Sequence, residues 1–192
     1  MRVTGLKKAY GERIVFDGEE FTFPEGRITC VMGKSGAGKT TLLKILAGLT
    51  PFEGGIEGGG KSAFVFQEPR LISHMTVAEN IAFAVGRYAV NEEKLAGMLT
   101  AVGLGGMQNR RAGELSVGEA QRVALVRAFA CEAPVVLLDE PFSALDKESK
   151  ELAIDAFLAL WREKRQTVVL VTHEEEEALR LGESVIRLPV SK

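Results

Sequence analysis

Gly33-Lys34-Ser35-Gly36-Ala37-Gly38-Lys39-Thr40 fits the phosphate-binding pattern G-x-x-x-x-G-K-[ST] at every fixed position. Its glycines let successive backbone N–H groups curl around phosphate oxygens. Lys39 can reach the outer phosphates of a nucleotide, and the Thr40 hydroxyl can ligate Mg²⁺. The flanks suit that chemistry. Arg27-Ile28-Thr29-Cys30-Val31-Met32 reads as a short apolar strand feeding the loop. Thr41 to Gly48 reads as a helix leaving it, with Gly48 as the stop. A helix that starts at the loop adds its N-terminal partial charge to an anion site. Without those flanks the same residues would be a glycine-rich turn beside a surface lysine.

A second signal is Val135-Val136-Leu137-Leu138-Asp139-Glu140. Four apolar residues followed by two acids place the acids at the C-terminal edge of a strand, where open α/β sheets bind ligands. Asp139 is placed to hold a Mg²⁺ shell, and Glu140 to polarise a water for attack on a γ-phosphate. Acids often follow strands for solvation alone; the upstream phosphate loop is what favours the chemical reading.

The elements needed to position these groups can be read along the chain. Arg2 to Tyr10 and Ile14 to Phe23 alternate as half-exposed antiparallel strands, with a turn at Pro24-Glu25-Gly26. Pro51 to Gly60 holds five glycines and reads as a tight, flexible connection before an apolar strand at Ser62 to Phe66. Thr76-Val77-Ala78-Glu79 fits a capping box and opens a helix through about Arg87. Asn91 caps a second helix ending near Gly103, and a third is expected from Ser116 to about Cys131. Val135 to Leu138 and Thr167 to Val171 suit central strands of a covered parallel sheet. Ile154, Phe157, Leu158 and Trp161 form a helical stripe that reads as core packing. A last strand spans Ser184 to Leu188. Strands alternating with helices argue an α/β fold with a mainly parallel sheet, and about Pro69 to Glu114 reads as a helical insertion.

Composition narrows the function classes. The 192 residues suffice for one domain with a sizeable core; 46% are hydrophobic and 26% charged, ordinary for a soluble globular protein. A net charge of −2 gives no support for nucleic-acid binding. Cys30 and Cys131 lack metal-ligand spacing and read as reduced, buried residues of a cytosolic protein. No secretory pattern opens the chain and no apolar run reaches the ~18 residues of a membrane span. A membrane role therefore has to come through a partner.

With these motifs in place, the chain resembles the nucleotide-binding subunits of ATP-binding-cassette (ABC) transporters over nearly its whole length. Tyr10 stands where that family puts an aromatic on adenine, with Val15 as an apolar neighbour. Gly33, Ser35, Gly36, Ala37, Gly38, Lys39, Thr40 and Thr41 match the family's P-loop. Gln67, in Phe66-Gln67-Glu68-Pro69, matches the glutamine that senses Mg²⁺ and the γ-phosphate. Leu115-Ser116-Val117-Gly118-Glu119 matches the signature L-S-G-G-Q, whose Ser116 and Gly118 would face ATP held by a second subunit. Asp139 and Glu140 match the Mg²⁺ aspartate and the catalytic glutamate. Ser143-Ala144-Leu145-Asp146 matches the loop that crosses to the partner, and His173 the histidine on the γ-phosphate. A lone glutamine or histidine is more often a surface or core residue than a catalyst; the joint order of the motifs carries the assignment.

The resemblance implies a P-loop NTPase fold with an N-terminal antiparallel β portion and a helical subdomain at about 69–114, the whole of 1–192 being one ABC ATPase domain. It implies ATP and Mg²⁺ as cofactors, catalysis by Glu140, His173 and Gln67, and metal contacts from Thr40, Gln67 and Asp139. Implied partners are transmembrane permease subunits, a second copy in a head-to-tail ATP sandwich, and a solute-binding protein in the full system. The chain would then sit at the cytoplasmic face of the cell membrane through the permease and be soluble when isolated. Gln67 to Leu71 and Met75 to Asn80 look like importer subunits of the nitrate, sulfonate and taurine type. Alternatives are an export or lipid-extraction ATPase, a soluble relative acting on nucleic acid or ribosomes, and a nucleotide-binding module without turnover. The missing coiled coil and second cassette disfavour the soluble relative, and Glu140 with His173 the silent module. No extra C-terminal regulatory domain is expected after the last strand.

Two positions depart from the family pattern. Val117 replaces a glycine, and Glu119 replaces glutamine and brings negative charge toward the nucleotide. At Val117 either the backbone stays at negative φ or strain of order 1–3 kcal/mol is stored. In the strained case Val117→Gly should raise turnover.

Overall fold

The computed structural model describes residues 1–86 and 91–189 and divides them into two compact units. The first holds Met1–Phe64, Ala133–Glu140 and the chain from Gln166 onward. The second holds Val65–Glu132 and Pro141–Arg165.

In the first unit, β1 (Arg2–Tyr10), β2 (Arg13–Thr22) and β4 (Glu53–Glu57) form an antiparallel sheet in the order β2-β1-β4. Val3 and Leu6 of β1 and Val15, Phe16 and Phe21 of β2 are buried, the breaks in strict alternation falling at register shifts between the strands, and Phe16 meets Phe21 edge-on. A two-residue turn, Gly11-Glu12, joins them with Gly11 at φ +60, so that Tyr10 pairs with Arg13.

Strand β4 corrects the expectation of a connection across Pro51 to Gly60. Its glycines let two backbones approach: a Cβ on Gly54, which sits at φ +121, would lie 2.6 Å from the Thr4 carbonyl oxygen. Glycine within a strand marks this kind of close approach or bulge, and β1 shifts register against β4 between Thr4 and Lys7.

A five-stranded sheet follows. It holds β3 (Ile28–Met32), β5 (Ser62–Val65), β6 (Val135–Asp139), β7 (Thr167–Val171) and β8 (Ser184–Arg187), in the order β5-β6-β7-β3-β8. The pairs β3–β7, β3–β8 and β6–β7 are parallel. Every residue of β3 and β7 is buried, which accounts for their mainly apolar composition. Helix α1 (Lys39–Leu46) leaves the P-loop, packs on β6 and β7, and ends before Gly48 at φ +68. Helix α6 (Glu175–Leu181) packs on β3; it was not legible in the sequence.

The second unit is helical. Its helices are α2 (Val77–Val85), α3 (Glu92–Ala101), α4 (Val117–Ala130) and α5 (Lys147–Lys164). It extends past the expected 69–114 block because α4 and α5 pack with α2 and α3. Thr76 and Glu79 make the expected capping box, and Asn91 caps α3. Helix α2 closes at Gly86, and Arg87, where that helix was expected to end, lies outside the described residues. Ile154, Phe157 and Trp161 of the expected stripe are buried, with Phe157 against Phe129 and Phe142. Cys30 is buried, whereas Cys131, at the end of α4, is only half-buried.

Candidate ATP site

The first unit carries a cavity of about 740 Å³, within the usual range for ligand sites. Tyr10, Arg13 and Val15 line one side. Ser35, Gly36, Gly38, Lys39, Thr40 and Thr41 line another, with Glu140 and His173 completing it. Ala37 lies buried, and a Cβ on Gly33 would come within 3.1 Å of it.

The loop's glycines are steric necessities here. Gly38 sits at φ +93, and a Cβ there would come within 2.6 Å of Val15. Gly36 sits at φ +81 with Arg13 2.8 Å from the same kind of position. Side chains at these two points would collide with β2 and disturb the loop backbone that phosphates need. Lys39 is 8% exposed. Its Nζ donates to the carbonyls of Gly33 at 2.8 Å and Lys34 at 3.3 Å.

The two acids at the end of β6 have separate surroundings. Asp139 accepts from the Thr40 hydroxyl at 3.1 Å. Burial pushes the Asp139 carboxyl above its usual value, with Glu140 adding to the rise, while Thr40, Lys44 and Lys39 work against it. Few oxygen donors converge there, and no group of three or more His, Cys, Asp or Glu side chains among the described residues could cage a metal. The pair of Thr40 and Asp139 fits Mg²⁺, which uses one or two protein oxygens plus substrate phosphates and water. Glu140 adopts φ +46, a left-handed conformation that a non-glycine residue rarely takes. Its N–H donates to Val171 O at 3.0 Å. Its carboxylate lies 3.9 Å from Lys39 Nζ and accepts from His173 Nδ1 at 3.1 Å. Backbone strain of this kind collects at functional sites.

Tyr10 is half exposed, with Lys8 Nζ 4.8 Å from the centre of its ring. Hydrogen bonding to Thr41, then to Thr50, draws its phenol below the usual value.

Gln67, Ser116 and Gly118 belong to the second unit. Gln67 Nε2 donates to Ser143 Oγ at 3.1 Å. Ser116 caps α4, accepting from Glu119 N–H at 3.2 Å, while the Glu119 carboxylate accepts from Ser116 N–H at 2.8 Å. Glu119, whose negative charge replaces the family's glutamine, is also half of a capping box, with Arg110 3.3 Å away. The Ser116 N–H holds its carboxyl below the usual range. Val117 opens α4 as a helical residue without positive φ, so strain there is excluded. Gly118 permits close packing, since a Cβ would lie 3.0 Å from Ser149.

The structure adds Arg13, which sequence reasoning missed. Its guanidinium donates to Gly36 O at 2.6 Å. The signal was available, since a two-residue turn at Gly11-Glu12 puts Arg13 opposite Tyr10. Two further residues organise the segment after Gln67. Arg127 donates to the carbonyls of Pro69 and Arg70, and buried Asn80 donates to those of Ile72 and Thr76.

Comparison with known proteins accords with this geometry. The family model described as ABC transporter matches residues 16–143. The chain belongs to the ABC transporter family. Among its relatives is the aliphatic sulfonates import ATP-binding protein SsuB 2 of Burkholderia lata. It is 38% identical, over 98% of this chain and 71% of the relative. The SsuB 2 protein of Frankia alni is 42% identical, over 97% of this chain and 76% of its own length. The SsuB protein of Corynebacterium glutamicum is 39% identical, over 97% and 79%. Among solved structures, an ATP-binding subunit of an ABC transporter superposes with a TM-score of 0.84 at 28% identity, over 97% of this chain and 85% of that one. A second ABC transporter, in an inward-facing conformation, gives 0.86 at 26% identity, over all of this chain and 80% of that one. As a member of this family the chain is an ATP-binding ATPase subunit.

Proposed function

We propose that this subunit hydrolyses MgATP in the cavity of the first unit to power import of a small organic anion of the sulfonate class through a separate permease. The observation that carries the catalytic part is the Glu140 carboxylate, set between Lys39 and His173 beside the P-loop. Tyr10 and Val15 receive the adenine. The P-loop amides and Lys39 take the phosphates. Mg²⁺, held by Thr40 and Asp139 with Gln67 as sensor, would offset charge on the phosphate oxygens. Glu140 accepts a proton from the attacking water, and His173 orients toward the γ-phosphate.

Ser116 opens a 14-residue helix, whose N-terminal amides suit a γ-phosphate presented by a second copy of the chain. Import and the sulfonate class rest on the names of the relatives, and a solute-binding protein would belong to the same system. Among the described residues no helix is long and apolar enough to cross a membrane. By analogy with the import subunits it resembles, a permease would hold the subunit at the cytoplasmic face, docking on the helical block after Gln67.

The test is reconstitution with a cognate permease, in vesicles loaded with ATP. Uptake of a labelled alkanesulfonate should require ATP. Glu140→Gln should keep ATP binding and lose both uptake and hydrolysis, by about 10²–10⁴ for a positioned base. Near-native turnover in that variant would remove Glu140 from its role. ATP-dependent efflux in place of uptake would reverse the direction.

A further inference from the structure

We infer that Glu177, acting through Thr172, is a positioning residue for His173 in ATP hydrolysis. The inference rests on the catalytic reading of Glu140 and His173 above.

His173 is exposed, and its ring reaches Glu140 at 3.1 Å. Packing does not hold an exposed ring in place, so beyond that contact with Glu140 its position depends on the backbone on either side. One hydroxyl ties both sides. Thr172 Oγ1 accepts from Glu174 N–H at 3.1 Å and donates to Glu177 Oε2 at 2.6 Å. Thr172 N–H also donates to Val31 O at 3.2 Å, anchoring it to β3 just ahead of the P-loop. Thr172 is 2% exposed and Glu177 5%.

The inward carboxylate needs a reason. Glu175 and Glu176 of the same helix face solvent, whereas Glu177 lies beside Ala178 and among buried positions. A buried carboxylate is costly unless a donor satisfies it. A donor to its Oε2 is the Thr172 hydroxyl, which also fixes the residue before the candidate catalytic histidine. A charge-assisted O–H···O⁻ bond is short and directional. It orients the Thr172 hydroxyl so that its lone pair meets Glu174 N–H. The turn from Thr172 to Glu174 is thereby closed around His173.

Steady-state ATP hydrolysis by the full chain tests this. Thr172→Val and Glu177→Leu should each lower kcat by about tenfold to a hundredfold, the cost of misplacing a catalytic group by about 1 Å. KM for ATP should stay within about twofold, because uniform binding is untouched. Thr172→Ser and Glu177→Gln keep a hydroxyl donor and an oxygen acceptor and should retain most of kcat. Placed in a His173→Ala background, Thr172→Val should add no further loss to the residual rate, since its effect runs through the histidine.

A folded Thr172→Val protein with native kcat overturns the inference. So does a loss that persists in full in the His173→Ala background. Thr172→Val is nearly isosteric and carries the test if Glu177→Leu fails to fold, as judged by melting. Parallel Glu140→Gln and His173→Ala proteins separate the levels. If both turn over normally, the catalytic reading falls and this inference with it. If both are crippled while Thr172→Val is native, only this inference falls.

Discussion

The Thr40 hydroxyl donates to the Asp139 carboxylate over 3.1 Å, although the two residues are 99 positions apart. Thr40 stands in the first turn of α1 and Asp139 at the end of β6, and α1 packs on β6. The parallel sheet is what makes this contact, since strands β3 and β6 both deliver their C-terminal ends to the same edge.

Asp139→Asn follows from that contact. Burial raises the Asp139 carboxyl above its ordinary 3.8. An acid raised by folding favours the fold while protonated, and that contribution is lost as pH rises through the raised value. Nucleotide-free Asp139→Asn should therefore melt higher than the parent at neutral pH. The gap should close below the ordinary carboxylate value. The variant should also lose the Mg²⁺-dependent part of the stabilisation given by ATP. Melting curves with and without MgATP at several pH values check this; a lower neutral-pH melting temperature would contradict it.

Lys39→Ala should abolish MgATP binding measurable by calorimetry. The loop should also loosen, because Lys39 is buried and two loop carbonyls lose their donor. Losing such bonds costs about 1–3 kcal/mol. That corresponds to about 2–4 °C in melting temperature per kcal/mol for a chain of this size. Tight nucleotide binding by the folded variant would remove Lys39 from the phosphate site.

Local pattern made most of this architecture legible. The P-loop with its flanking strand and helix, the hairpin strands and the two capped helices each follow from short-range chemistry. The misses have tertiary causes. Strand β4 reads as a loop because its glycines answer to the backbone of β1 rather than to their own neighbours. Helix α6 carries a run of acids, and only Glu177, Ala178 and Leu181 turn inward, too few for an apolar period. Arg13 joins the cavity through a hairpin register that motif matching ignores. The compact helical unit exceeds the expected insertion because α4 and α5 pack with helices distant in sequence.

Glu119→Gln should expose the capping box as a pH-dependent element. The Ser116 N–H, and to a lesser degree Arg110, hold the Glu119 carboxyl below 4.5. An acid lowered by folding stabilises above its unfolded value, and the contribution is lost as pH falls through the folded value. Glutamine can still accept from Ser116 N–H, so the variant loses only the charge-assisted part. It should melt slightly lower than the parent at neutral pH, begin to converge with it as the pH falls below 4.5, and meet it only below the lowered folded value. A gap that stays constant across that range would mean the charge is not used.

Val117→Gly tests whether the departure from the family's signature matters to the clamp. Strain would have favoured the glycine variant, but Val117 is the first residue of α4, helical and 58% exposed. Ser116 already holds the extended cap conformation, with φ −64 and ψ 163. Glycine has nothing to relax here. It instead adds freedom to the unfolded chain and weakens the first helical turn, by roughly 0.5 kcal/mol. The Ser116 cap and the packing of Gly118 on Ser149 remain. The variant should therefore melt slightly lower and hydrolyse ATP at the parental rate. Assays on the two proteins across protein concentration decide it: faster turnover, or ATP-driven dimerisation at lower concentration, would show that the valine side chain itself restrains the approach of a second copy.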